Sequence, residues 1–75
     1  MEVKLPELGE GIEKAVVTMW LKKEGETVKE GEDLVEMATD KAAFNVPSSG
    51  SGVLKKIIKL EGEEVKVGET LATLE

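Results

Sequence analysis

The sequence predicts an all-β fold built from two copies of one structural unit. The first observation is an internal repeat: residues 24–34 recur at 61–71 with eight of 11 positions identical, at an offset of 37 (61 − 24). The second is that eight glycines separate short segments rich in valine, isoleucine, leucine and threonine, as expected for short strands joined by tight turns. In a chain of 75 residues, such a repeat indicates two units that bury their apolar faces against each other. The recurring apolar positions are the expected centre of that core: Val28, Leu34, Val65 and Leu71.

The segment Glu13–Glu24 fits two patterns. A three-turn helix would align four large apolar side chains on one face: Ile12, Val16, Met19 and Trp20. A strand would instead alternate, with one face formed by Ala15, Val17, Met19 and Leu21. We favour the strand, because valine prefers β structure and because the counterpart segment Val53–Leu60 in the second copy is rich in valine and isoleucine.

A β-hairpin is predicted between the two copies, with Asp40 and Lys41 as its turn residues. In this register the numbers of paired residues sum to 81, and the two faces of the hairpin differ in polarity. The apolar face holds Val35, Met37, Thr39, Ala42, Phe44 and Val46. The opposite face holds Glu36, Ala38, Ala43 and Asn45. The Asp40 carboxylate is expected to accept hydrogen bonds from nearby backbone N–H groups, so that Lys41 projects into water from a narrow, rigid support.

Lys41 itself has two interpretations. A lysine at a hairpin tip is usually a residue that promotes solubility. The small side chains of Ala38, Ala42 and Ala43 favour a functional amine, because they leave it accessible to a large partner protein.

The composition excludes several kinds of site. Cysteine and histidine are absent, which excludes disulfides, the usual zinc sites and a Cys–His or Ser–His nucleophile. The net charge of −6 has the wrong sign for binding a phosphate backbone. The apolar run Ala15–Leu21 is too short to span a bilayer, and the amino terminus lacks a secretory signal pattern. We expect no metal, nucleic-acid or membrane partner, and a cytoplasmic location, or the mitochondrial matrix if a precursor segment has been removed.

Three separated motifs resemble those of a known family. Thr39–Ala42 reads T-D-K-A, residues 31–36 read G-E-D-L-V-E and residues 46–54 read V-P-S-S-G-S-G-V-L, which closely resemble the lipoyl domains of 2-oxo acid dehydrogenase complexes. The opening L-P-E-L-G-E-G-I at residues 5–12 resembles the start of the dihydrolipoamide acyltransferase (E2) chain of those complexes. The resemblance implies a single lipoyl domain over residues 1–75, N-terminal in a longer E2 chain. It also implies a flattened β-barrel of two four-stranded antiparallel sheets with pseudo-twofold symmetry.

The resemblance implies a function for Lys41, which would carry lipoic acid in amide linkage as a swinging arm. A lipoate ligase or lipoyl transferase would attach the lipoic acid. The 2-oxo acid decarboxylase (E1) would then reductively acylate the lipoyl group, and the E2 core would receive the acyl group. Dihydrolipoamide dehydrogenase (E3) would reoxidise the remaining dithiol. The domain alone would be a monomeric carrier without catalytic residues. Asp40 and Ala42 would hold the turn and be read by the ligase. The implied recognition residues are Thr39, Asp40 and Ala42 at the tip, and Leu8, Gly9, Glu10, Gly11 and Ile12 in a loop that is alternatively a plain glycine-rich turn.

The chain departs from the family pattern at Ala38 and Asn45, where most relatives carry an acidic residue. These departures bear on the choice of partner enzyme more than on the modification. Two alternatives remain. One is a biotinyl carrier, which shares the fold and the tip lysine but usually has methionines on both sides of it, where this chain has Asp40 and Ala42. The other is an unmodified barrel that serves as an interaction module. The opening motif favours a pyruvate or branched-chain complex over a 2-oxoglutarate complex.

Overall fold

The computed structural model describes all 75 residues and contains eight strands and no helix. The strands are β1 (Glu2–Lys4), β2 (Lys14–Trp20), β3 (Thr27–Val28), β4 (Asp33–Ala38), β5 (Ala43–Pro47), β6 (Gly52–Ile57), β7 (Glu64–Lys66) and β8 (Thr70–Leu74). They form two four-stranded sheets, in the orders β1-β8-β6-β3 and β5-β4-β2-β7, and every pairing is antiparallel. This confirms the predicted all-β architecture and the strand assignment of β2. No segment forms a helix that could cross a membrane.

The two sheets are related by a pseudo-twofold axis that follows the sequence repeat. Moving every strand label by four converts the order β1-β8-β6-β3 into β5-β4-β2-β7. The same correspondence holds within the turns. The Lys29 N–H donates to a Glu32 carboxylate oxygen at 2.7 Å, and the Lys66 N–H donates to Glu69 at the same distance. The second copy therefore repeats the hydrogen bonding of the first, and the predicted symmetry is confirmed.

Each copy also supports the other through a glutamate. A Glu24 carboxylate oxygen accepts a hydrogen bond from the Ile57 N–H at 2.8 Å, and Glu61 accepts one from the Trp20 N–H at 3.1 Å. Ile57 is the last residue of β6, and Trp20 is the last residue of β2. Each glutamate therefore accepts a hydrogen bond from the N–H at the end of a strand in the other copy. Glu24 and Glu61, which occupy the same position of the repeat, thus have the same structural role in both copies.

The core lies between the two sheets and consists of 14 buried apolar residues. Val28, Leu34, Val65 and Leu71 are all completely buried, which confirms the core positions predicted from the repeat. Since apolar burial supplies most of the driving force for folding, the symmetric core is what holds the barrel together.

One detail of the predicted alternation is wrong. Ala15 and Val17 are buried as expected, but Met19 and Leu21, which were placed on the same face, are 46% and 39% exposed. The pairing of β2 with β4 shifts register between Val17 and Met19. Such a β-bulge inserts one extra residue, and a slip of one residue moves the following side chains to the other face.

Candidate functional site

The β4–β5 hairpin has the predicted register. Val35 pairs with Val46, Met37 with Phe44 and Ala38 with Ala43, so that each pair sums to 81. The side chains on the inner face at Val35, Met37 and Val46 are buried in the core, and Phe44 packs against it. Because a large part of the core holds both strands of the hairpin, the turn at Asp40 and Lys41 rests on a rigid base.

The turn is held by Thr39. Its hydroxyl oxygen accepts hydrogen bonds from the Lys41 N–H and the Ala42 N–H, both at 3.2 Å, and the hydroxyl donates to the Ala42 carbonyl at 3.3 Å. The expectation that the Asp40 carboxylate would accept these bonds is wrong, because it accepts none. A hydroxyl at the first position of a turn reaches the N–H groups two and three residues ahead, and here it leaves the Asp40 side chain exposed.

The Lys41 amine is free to react or to be recognised. The residue is exposed, and its ammonium group makes neither an ion pair nor a hydrogen bond. Ala42 and Ala43 beside it are exposed and small, as the sequence suggested. Nothing in the chain therefore has to be displaced when another protein approaches this amine.

Two open grooves meet at the tip, and Lys41 lines both of them. The first, here called the β2 groove, has a volume of about 750 Å³ and is lined among others by Ile12, Val16, Ala38, Asp40 and Lys41. The second, the β5 groove, has a volume of about 440 Å³ and is lined among others by Leu8, Ile12, Ala42, Phe44 and Lys41. Ile12 belongs to both grooves. Besides Lys41, four charged residues line the β2 groove (Glu13, Lys14, Asp40 and Glu64) and one lines the β5 groove (Glu7), so a group attached to Lys41 would have a more charged surface on one side than on the other.

The loop that was predicted to take part in recognition lies beside the tip. Leu8 and Ile12 are half-buried and share the β5 groove with Lys41, and Gly11 lines the β2 groove. The chain reverses through Gly9 and Gly11, which have φ of 132° and 81°, values that favour glycine. Gly9 and Glu10 are exposed and line neither groove. The role of this loop in recognition stays a prediction.

The two positions that depart from the family pattern lie on different sides of the tip. Ala38 lines the β2 groove, and Asn45 lines the β5 groove. The Asn45 amide donates to a carboxylate oxygen of Asp33 at 3.1 Å, on the neighbouring strand. An acidic side chain in place of Asn45 would put two like charges together there.

Sequence reasoning missed Val16 as part of the site. It is 38% exposed, lines the β2 groove and pairs across the sheet with Ala38. Finding it would have required the pairing of β2 with β4, whose residues lie 22 positions apart at this point (38 − 16). No pattern of neighbouring residues in the sequence predicts that contact.

The titration behaviour and the acidic side chains add no further site. The pKa of Glu32 and that of Glu69 lie below the usual range, chiefly because each carboxylate accepts a backbone N–H from Lys29 or Lys66. Both glutamates belong to the repeated glycine turns, and Glu32 lies at the end of β4 that is remote from the tip. No group of three or more acidic side chains is arranged to hold a metal ion.

Comparison with known proteins gives a consistent result. A family model described as "Biotin-requiring enzyme" matches residues 1–74. The dihydrolipoyllysine-residue succinyltransferase component of the 2-oxoglutarate dehydrogenase complex of Bacillus subtilis is 41% identical over 73 residues, which are 97% of this chain and 18% of that protein. The dihydrolipoyllysine-residue acetyltransferase component of the pyruvate dehydrogenase complex of Acholeplasma laidlawii is also 41% identical over 73 residues, 97% of this chain and 13% of that protein.

The likeness extends to a solved structure. The solution structure of the lipoyl domain of the 2-oxoglutarate dehydrogenase complex from Azotobacter vinelandii superposes with a TM-score of 0.76. It is 39% identical and the match covers 99% of this chain and 94% of that one. The fold is therefore that of a lipoyl domain. The chain spans less than a fifth of the length of the curated relatives it matches.

Proposed function

The chain belongs to the family of biotin- and lipoyl-carrying domains, and from that premise we propose that it is a lipoyl carrier domain of the E2 component of a 2-oxo acid dehydrogenase complex. The observation that carries the proposal is the exposed, unpaired Lys41 at the tip of a hairpin anchored in the core. Relatives named for a dihydrolipoyllysine residue support lipoic acid as the attached group.

The residues around Lys41 fit such an attachment. The amine is exposed and uncommitted, and the neighbouring alanines leave room for an enzyme to reach it. An amide would remove the charge of Lys41 and make the formal net charge one unit more negative than −6. When bound, lipoic acid supplies a redox-active disulfide that can carry an acyl group. The protein's own contribution is presentation: the hairpin fixes where the arm begins, and the grooves offer surfaces to partner enzymes.

In this role the tip is presented in turn to E1, to the E2 core and to E3, after a lipoate ligase or lipoyl transferase has modified it. The chain would be one domain of a longer E2 protein and would itself lack catalytic residues. Succinyltransferase components reach 45% identity with this chain and acetyltransferase components reach 41%, a difference too small to decide between a 2-oxoglutarate and a pyruvate complex. The earlier inclination toward a pyruvate or branched-chain complex thus finds no support in these relatives.

A biotinyl carrier is the second candidate, because the description of the matching family names biotin. Against it stand the relatives named for dihydrolipoyllysine and the neighbours of Lys41, which are Asp40 and Ala42 rather than methionines. Against the third possibility, an unmodified interaction module, stand the same relatives and the sequence D-K-A at Asp40–Ala42 on the tip.

The test is modification in vitro. The chain is incubated separately with lipoate ligase, lipoic acid and ATP, and with biotin ligase, biotin and ATP, and the intact mass is measured. We expect one lipoyl addition, no biotin addition, and no lipoyl addition to Lys41→Arg, which keeps the charge but has no primary amine to acylate. Lys56→Arg, a matched change of an exposed lysine on β6, should be modified like the original chain. Biotin addition, or lipoyl addition that survives Lys41→Arg, would contradict the proposal.

A further inference from the structure

The tip of the hairpin lacks one of its two expected backbone hydrogen bonds. The Thr39 N–H donates to the Ala42 carbonyl at 2.8 Å, but the Ala42 N–H does not donate to the Thr39 carbonyl. In a two-residue hairpin loop these two residues normally exchange both bonds. The backbone alone therefore closes only one side of the turn that carries Lys41.

The Thr39 hydroxyl takes the place of the missing bond. It accepts from the Ala42 N–H, and from the Lys41 N–H as well. Thr39 is half-buried and follows directly on the last strand pair, Ala38 with Ala43, so its backbone is fixed by the sheet. One side chain thus connects the ordered end of the hairpin to the backbone of the residue that presents the amine.

We propose that Thr39 is a positioning residue for the modification of Lys41, which rests on the proposed function of Lys41 as a lipoylation site. The hydroxyl fixes the backbone of Lys41, and thereby the direction in which its side chain leaves the turn. The Asp40 carboxylate, which the turn does not use, stays available to the modifying enzyme. Thr39 acts through Lys41 and need not touch the enzyme.

The proposal predicts a particular kinetic pattern. Without the hydroxyl, the tip samples more conformations, and only a fraction of them presents Lys41 correctly. An enzyme that binds only this fraction has its apparent affinity reduced by the same factor, while the bound complex reacts as before. The change should therefore appear in KM and leave kcat nearly unaltered. A residue that only stabilised the fold would change neither constant at a temperature where the variant stays folded.

The experiment compares Thr39→Val, which replaces the hydroxyl by a methyl group of similar size, with Thr39→Ser, which keeps the hydroxyl. Lipoylation by lipoate ligase is measured as a function of domain concentration for both variants and the original chain. NMR measurement of amide exchange with water at Lys41 and Ala42 provides a second readout that needs no enzyme. Circular dichroism verifies that all three proteins are folded.

For Thr39→Val we expect a KM raised about fivefold to tenfold, as for the loss of one or two neutral hydrogen bonds. Its kcat should stay within about twofold of the original, and exchange at Lys41 and Ala42 should be faster. Thr39→Ser should restore both readouts. Unchanged KM or unchanged exchange in Thr39→Val would overturn the proposal, as would a loss confined to kcat or an equal loss in Thr39→Ser. Failure of the original chain to be lipoylated would instead refute the proposed function, and the exchange data would still test the turn.

Discussion

Replacing Leu71 by alanine is expected to remove much of the stability of the domain. Leu71 is completely buried and lies on β8, an inner strand of its sheet. Truncating a buried leucine to alanine costs about 2 to 5 kcal/mol, because it removes buried surface and leaves a cavity. A domain of this length has a free energy of unfolding of roughly 4 to 11 kcal/mol, at about 0.05 to 0.15 kcal/mol per residue. Leu34→Ala, at the equivalent buried position of the first copy, should have a similar cost.

Lys41→Ala is the matched contrast, and an exposed change of this kind should alter stability by about 0.5 kcal/mol or less. Trp20, the only tryptophan, provides the assay: its indole N–H donates to the Lys59 carbonyl at 2.7 Å and its ring packs against the core, so its fluorescence reports unfolding in urea. With a slope of about 1 kcal/mol per molar urea, the midpoint should fall by roughly 2 M or more for Leu71→Ala and by less than about 0.5 M for Lys41→Ala. Equal shifts would refute the division between core and tip.

Two further predictions concern charge. The pKa of Glu32 and that of Glu69 are lowered in the folded protein, so on acidification these carboxylates take up protons in the unfolded chain before they do in the folded one. Their contribution to stability is therefore present above the ordinary glutamate pKa and is lost as the pH falls through the lowered pKa of the folded state. In the double variant Glu32→Gln, Glu69→Gln, urea midpoints measured from neutral pH into acid should fall less steeply. Ala38→Glu and Asn45→Glu should change the rate of reductive acylation by E1 more than the rate of lipoylation. The difference between the two effects should become smaller at high salt. If only lipoylation falls, and does so at both low and high salt, these positions are recognised by the ligase and the prediction is wrong.

Much of the fold could be predicted because it is repeated. The same pattern of glycines and apolar residues predicts turns and core positions in both copies, so an assignment made in one copy can be tested against the other. The hairpin register was predictable for a related reason: a slip of one residue would have exposed Val35, Met37 and Val46 together, which the hydrophobic effect penalises strongly. Lys41 followed from that register, since it fixes which residues occupy the turn.

The predictions failed where one residue changes the local geometry or where distant segments meet. The β-bulge after Val17 leaves no clear mark on the sequence, so the exposure of Met19 was missed. The side chains of Thr39 and Asp40 can both form hydrogen bonds with a turn backbone, and only the folded structure shows that the hydroxyl reaches two N–H groups and the carboxylate none. The contact of Val16 with Ala38 depends on tertiary pairing, which a pattern of neighbours in sequence does not contain.

The symmetry of the barrel also determines where the chain ends lie relative to Lys41. The pseudo-twofold axis relates the β4–β5 hairpin to the strand pair β8–β1. The two chain termini therefore lie where the symmetry-related hairpin has its turn. There the Met1 amino group donates to the Leu74 carbonyl at 2.8 Å, and the Met1 side chain lies against Gly50.

Gly50 follows the end of β5 that is remote from the tip, and the five residues of β5 span roughly 17 Å. The contact of Met1 with Gly50 therefore puts the chain ends on the side of the barrel away from Lys41. A segment joined to either end would therefore begin on the side of the barrel away from the two grooves. The repeat thus does more than build a core: it places the two chain ends and Lys41 on opposite sides of the barrel.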